Sequence, residues 1–397
     1  MVAQHKINKR IILSTLLGAM AAATLPAGAA EWSVEPSVSA STSFSDNVRF
    51  LDRATSADLI NSNIILSVSP ALQFGHETEV RNVKGKVRIA ANRFNKDNEL
   101  NSNDAFIDIA WRERGERSEF SFVSNSTYDS TLATLLQDVG NPTLRKQRQK
   151  ISINPNYTYN LDANLALSMG YRFEDVGFKD AQKTSLVDYR SNELLPSLRY
   201  KLDERTEIEL NTKLWQLITL PDNLQIPRST FKTRLLGGGY NKKIDESSSW
   251  SAGAGIYNIG EDTTSIAVNT PGIQTTHSGV TAALKYQRST EYGNVNTILA
   301  REINPSGENT LLLTNRLGVD FSQGLTPYLT GLASVGYYKN KVIGGNIDKN
   351  VQYFRLSPSL SWKPAREWQI DGGVVYQRAN SPLKVFPRRR QMPNRRF

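Results

Sequence analysis

The sequence predicts an all-β chain, a transmembrane antiparallel up-and-down β-barrel of about eighteen strands. Three observations carry that expectation. Apolar residues alternate with polar ones at a period of two. Aromatics recur about every 41 residues, each ahead of a short polar turn. Longer polar loops separate the strand pairs that those turns join.

The alternation is plainest in ANLALSMGYRF, where Leu165, Leu167, Met169, Tyr171 and Phe173 share one face and Ala166, Ser168, Gly170 and Arg172 the other. TEIELNTKL sets Ile208, Leu210, Thr212 and Leu214 against Glu207, Glu209, Asn211 and Lys213. EWQIDGGVVYQ sets Trp368, Ile370, Gly372, Val374 and Tyr376 against Gln369, Asp371, Gly373, Val375 and Gln377. A side-chain period of two means strands with one apolar face, and no long stretch has a helical period.

The longer rhythm begins with a shared pattern: proline, any residue, apolar or tyrosine, any residue, aromatic. It occurs from Pro70, Pro155, Pro196 and Pro358. Strand prolines remove a ladder donor, so bulges near a rim are expected there. The marking aromatics are Phe74, Trp111, Tyr159, Tyr200, Tyr240, Tyr286, Phe321 and Trp362. Each ends a strand before a tight turn such as NLDAN, KLDER or KPARE. Stretches such as EDVGFKDAQKTS, IGEDTTSIAVNTPGIQT and KNKVIGGNIDKN read as loops at the other end. Tight turns at one end, loops at the other and aromatics at one height describe a barrel with a periplasmic aromatic girdle. A propeller needs four strands in each blade of about 40–45 residues; here each unit offers two, long enough to span. The count reaches seventeen strands by Gln377, and an even-numbered barrel asks for one more.

The ends differ from the body. Lys6, Lys9 and Arg10, an apolar run from Ile11 to Ala23 and small residues up to Ala30 read as a cleaved signal peptide over 1–30. The apolar run is shorter than the ~20 residues of a spanning helix. The barrel is expected over 31–380. Of the formal charge of +10, residues 1–30 contribute +3 and residues 381–397 contribute +6, leaving the body near neutral. The basic balance therefore describes the ends and implies no nucleic-acid partner. The absence of cysteine excludes disulfides, thiol chemistry and cysteine-bound metal.

If the aromatics face lipid, the opposite parity lines a lumen. That assigns Lys84, Lys86, Arg88, Asp108, Arg112 and Arg172, then Arg199, Lys201, Glu207, Glu209 and Lys213. Lipid-facing Lys or Arg costs about 2–4 kcal/mol at mid-bilayer, so the inward assignment is the cheap one. The mixed signs fit either a hydrated passage or a lumen whose charges merely pair. Gly237-Gly238-Gly239 lacks the Lys-Ser/Thr of a phosphate loop and reads as a bulge or kink, with a register break at Arg234. His76 falls in a tight turn and His277 beside a loop. Neither HExxH nor GxSxG occurs, so no catalytic, cofactor or metal residue is assigned and an enzyme is not expected. The loops are modest, so a long constriction loop of the general porin kind is not expected either.

Glu31-Trp32-Ser33-Val34-Glu35-Pro36-Ser37-Val38, then Phe44-Ser45-Asp46-Asn47-Val48, then Leu66-Ser67-Val68-Ser69-Pro70-Ala71-Leu72 carry a likeness. The chain resembles the β-barrel porin family of outer-membrane proteins associated with exopolysaccharide operons and exosortase systems. The resemblance implies an outer-membrane barrel of a Gram-negative bacterium, linked to surface or capsular polysaccharide. Its expected partners are outer-membrane lipid, polysaccharide and periplasmic export components. It implies a conduit for polymer or related solutes. A polymer-retaining structural barrel and a general diffusion porin are the alternatives.

Residues 381–397, SPLKVFPRRRQMPNRRF, end in an aromatic yet carry six basic residues and no alternating apolar face. A basic arm, a poor closing strand and a closing strand lost by frameshift after Asn380 are the three readings. The abrupt change of composition favours the last.

Overall fold

The computed structural model describes residues 31–48, 62–130, 146–181, 186–222, 226–264, 273–343 and 350–380. The leader 1–30 and the tail 381–397 lie outside these. The first strands are β1 (Glu31–Ser45), β2 (Asn63–Glu77), β3 (Arg81–Phe94), β4 (Ser102–Arg114), β5 (Ser118–Ser130) and β6 (Gln147–Asn160). They continue as β7 (Leu165–Phe178), β8 (Asp188–Lys201), β9 (Thr206–Leu220), β10 (Arg228–Lys243), β11 (Ser248–Thr264) and β12 (Ile273–Thr290). The last are β13 (Gly293–Pro305), β14 (Leu311–Gly324), β15 (Leu329–Ile343), β16 (Asn350–Ala365), β17 (Trp368–Gly373) and β18 (Tyr376–Ala379). A 3₁₀ turn spans Asn98–Leu100.

Each strand from β1 to β16 pairs antiparallel with the next in sequence, giving one up-and-down sheet of the barrel class. β17 and β18 continue one register on β16, so they occupy a single, seventeenth position. Among the described residues no register joins β1 to β17 or β18.

Four connections repeat one design. In the β6–β7 turn the Leu161 and Asp162 amides both donate to Leu165 O; in the β8–β9 turn Leu202 and Asp203 donate to Thr206 O, and in the β10–β11 turn Ile244 and Asp245 to Ser248 O. The aspartate carboxylates accept the amides two residues on, Asp162 from Asn164, Asp203 from Arg205 and Asp245 from Ser247. Thr326 takes the same place before β15. A side chain that caps its own turn explains why Asp recurs there.

Pro70, Pro155, Pro196 and Pro358 stand in mid-strand without bulges. The register keeps one offset through each proline, and only the pairs toward the following strand are missing there. A proline nitrogen faces one neighbour only, so the ladder on its other side stays whole, as between Pro70 and Val38. The proline carbonyl still accepts: Val374 N donates to Pro358 O at 3.0 Å. The break between β17 and β18 has this cause.

The glycine run in β10 is also free of a register break. It faces a second glycine run, with Gly237 opposite Gly255 and Gly239 opposite Gly253. A Cβ on Gly255 would lie 2.9 Å from Leu236 O and 3.1 Å from Gly237 Cα. The two strands therefore approach too closely for side chains on that face, which is what a tight bend in the wall requires. Arg234 simply shares the apolar parity, paired with Leu214 and Asn258.

The sequence-predicted loops are shorter than expected because strands run into them. β7 continues through Glu174 and Asp175 to Phe178, and β11 through Glu261 to Thr264. Cross-strand pairs hold these polar ends, with Lys150–Glu174 at 3.0 Å and Arg190–Asp175 at 2.7 Å.

Candidate functional site

The registers sort side chains into two faces. On one, Trp111, Tyr159, Tyr200 and Trp362 are 38–48% exposed, near the tight-turn ends of their strands. Phe74 lies across Gly85, where an added Cβ would meet its ring at 2.0 Å. Tyr240, Tyr286 and Phe321 keep the same parity through the ladder. The other face is polar.

All eleven candidate charged residues lie on the polar face. Lys84, Lys86 and Arg88 pair across to Ala110, Asp108 and Phe106, and the Arg88 guanidinium stands 4.0 Å from the Phe106 ring centroid. Asp108 accepts from Asn125 Nδ2 at 2.7 Å, and Arg112 lies 3.6 Å from Glu119. Arg199 donates to Ser168 Oγ at 3.3 Å and faces Glu209 across the ladder. Lys201 and Glu207 line a basin of about 860 Å³ at the tight-turn end, with Lys243 and Lys285.

The tightest cluster joins Arg172 and Lys213 through Glu193, which sequence reading missed. Glu193 is buried and accepts from Arg172 at 3.3 Å and Lys213 at 3.1 Å. Arg172 also donates to Asn154 Oδ1 at 2.8 Å. Lys213 Nζ sits 4.5 Å over Trp215, whose Nε1 donates to Ser191 Oγ at 2.7 Å. The Lys84–Arg88 group on β3 is not part of this cluster. Mixed signs and cross-strand pairs characterise the whole face.

Beyond Lys213 the polar face turns apolar. Trp215, Leu217, Phe231, Tyr257 and Ile259 form a buried cluster with Leu311, Leu313 and Ile343. The last three belong to the opposite parity of β14 and β15, so the upper β13–β14 hairpin lies inside the curve of the sheet. β12 and β13 pair only as far as Ala282 and Arg301, although both strands run on. The hairpin tip turns through Gly307 and Asn309, with φ of 75° and 60°. Its Gly307 carbonyl accepts from Val187 N at 2.9 Å, and Asn309 Nδ2 donates to Pro227 O at 3.0 Å. An inward-folded element, which the modest loops argued against, is thus present as a strand hairpin.

Between hairpin and wall is a chamber of about 360 Å³, bounded by Lys213, Trp215, the glycine bend and residues 300–304. Thr233 Oγ1 and Asn304 Nδ2 are buried there without a hydrogen-bond partner. The orphan hydroxyl and the orphan amide donor can each bond a polar group that enters the chamber.

The histidines fall elsewhere than expected. His76 is within β2, buried, its ring centroid 4.5 Å from that of Trp32. His277 is within β12, 3.8 Å from Glu261.

The architecture defines a chain of the up-and-down barrel class. No family model matches it, and no curated protein matches it. Among solved structures it is similar to the FrpB iron transporter from Neisseria meningitidis in its apoprotein form, at 8% identity and a TM-score of 0.48, covering 88% of this chain and 61% of that one. The copper transporter OprC gives 9% identity and a TM-score of 0.45, with 89% and 64% covered. Pseudomonas aeruginosa OpdK with vanillate gives 12% and 0.40, with 89% and 94% covered. The chain spans less than two thirds of the first two.

Proposed function

We propose that this chain is an outer-membrane barrel that conducts polar solute through a lumen walled by its polar face. The supporting observation is the division of faces. On β16 the apolar parity runs unbroken from Phe354 through Leu356, Pro358 and Leu360 to Trp362. That run rises about 20 Å at strand spacing and ~40° tilt, close to the ~25 Å apolar band of such barrels. The opposite parity holds the eleven charged candidates, which water must solvate. Lys84, Lys86, Arg88, Asp108, Arg112, Arg172, Arg199, Lys201, Glu207, Glu209 and Lys213 are then lumen residues, and the eight aromatics a periplasmic girdle.

The narrower reading, a link to exopolysaccharide, rests on the N-terminal resemblance and on the orphan polar groups of the chamber. The test is a folded, heat-modifiable preparation in planar bilayers. Conductance that the organism's own polymer blocks supports the conduit; a folded barrel that stays silent with the hairpin displaced sinks it. The inserted hairpin favours a second reading, a closed barrel that retains polymer at the surface. Deletion would then leave polymer made and exported but shed.

A further inference from the structure

The same split that frees the hairpin opens the outer face of the sheet. Above Ala282 and Arg301 the ladder between β12 and β13 stops, and Arg301 Nε donates instead to Val280 O at 3.1 Å. A groove of about 430 Å³ lies at this seam on the apolar face. Leu284, Leu299, Leu317 and Tyr337 form its floor, and Arg301 and Lys339 stand at its upper end. No carboxylate lines it. Arg301 and Lys339 both pair with Asn315 from opposite sides, which puts their backbones two strand spacings, about 9–10 Å, apart. The next strand adds Gln352 opposite Asn340's neighbour Lys339, directly above the apolar run of β16. The two cations therefore sit where the apolar band ends, at headgroup height.

We infer that this seam holds one phosphate-bearing anionic lipid of the outer leaflet, its acyl chain on the leucine floor and its phosphate between Arg301 and Lys339, with phosphatidylglycerol as the probe for it. The inference rests on the membrane reading above. Charge selects the occupant: Arg301 and Lys339 at the upper end, with Arg316 also in the lining and no acid, favour a phosphate with net negative charge over a zwitterionic head.

The full chain is refolded into phosphatidylcholine vesicles containing a minor fraction of phosphatidylglycerol, extracted in mild detergent and weighed by native mass spectrometry. The expected result is one retained phosphatidylglycerol per barrel, with retention falling about tenfold or more in R301Q/K339Q as charge-assisted bonds are lost. Because Arg301 also braces the seam, K339Q alone is the second variant; its exposed side chain can be neutralised without touching the fold, and it should lose several-fold. Equal retention of phosphatidylcholine, or undiminished phosphatidylglycerol in both variants, overturns the site. A chain that never shows heat-modifiable mobility or vesicle insertion refutes the membrane reading instead.

Discussion

Displacing the β13–β14 hairpin should open the pore, and Leu311→Ala is the perturbation that isolates this. Leu311 is 0% exposed and packs with Trp215, Leu217 and Ile259 on the facing wall. Truncating a leucine so buried costs about 2–5 kcal/mol. The loss falls on the docked hairpin, because the tip is otherwise held by the Val187–Gly307 and Asn309–Pro227 bonds, worth roughly 0.5–1.5 kcal/mol each. At 1.4 kcal/mol per factor of ten, the docked-to-displaced ratio drops roughly thirty- to several-thousand-fold. Single-channel recording reads this directly: the wild type should be mostly in a low-conductance state, and Leu311→Ala should show frequent, long high-conductance openings. Leu210→Ala, on the exposed apolar face of β9, should record like the wild type. If Leu311→Ala folds with normal heat-modifiable mobility yet records like the wild type, the hairpin is not the constriction.

Glu193→Gln leaves Arg172 and Lys213 without their shared carboxylate. Both cations keep contact with solvent, Arg172 being 44% exposed, so losing the buried acceptor costs about 1–3 kcal/mol; its urea midpoint should fall, and the reversal potential should move toward anion preference. Gly255→Ala forces a Cβ against the Leu236 carbonyl and the Gly237 backbone; overpacking of this kind costs about 1–3 kcal/mol, seen as a lower unfolding temperature, whereas Gly260→Ala, with nothing within 4 Å, should be neutral. Asp245 is held down to a pKa of about 2 by the Ser248 and Ser247 hydroxyls and the Ser247 amide, and Asp203 is lowered by the Arg205 amide and the Thr206 hydroxyl. A depressed carboxylate contributes stability above its unfolded value of 3.8, lost as pH falls toward the folded one. Protection of the β10–β11 turn amides, relative to their intrinsic exchange at each pH, should therefore fall between roughly pH 4 and pH 2, and Asp245→Asn should flatten that fall; an unchanged protection profile in the variant removes the turn aspartate as its cause.

Strand positions were legible because bilayer and water impose opposite demands on alternate residues, so ANLALSMGYRF declares its two faces before any partner is known. The turns were legible for a similar local reason, since an Asx cap needs only its own two neighbours. Bulges at Pro70, Pro155, Pro196 and Pro358 were wrongly expected because the sequence does not say which neighbour a proline nitrogen faces. That orientation decides whether one side or both sides of the ladder are lost. Glu193 escaped notice because its partners, Arg172 and Lys213, lie on other strands, and only the register puts the three side by side.

The hairpin had a signal that period-two reading passes over. In LWQLI of β9, Leu214, Trp215, Leu217 and Ile218 put apolar groups on both faces, and Tyr257 and Ile259 do the same on the polar parity of β11. A wall touching lipid on one side and water on the other has no use for such residues. Both-sided apolar character at the loop end of a spanning strand means that protein, not water, lies within. β14 shows the complement, for Leu311, Leu312 and Leu313 are all buried although they alternate faces. Two runs of this kind, one in the wall and one in a hairpin short enough to swing inward, specify each other as partners. The alternation of polar and apolar faces holds cleanly only at the tight-turn end, and the inward seat of the hairpin is written in the residues that break the pattern.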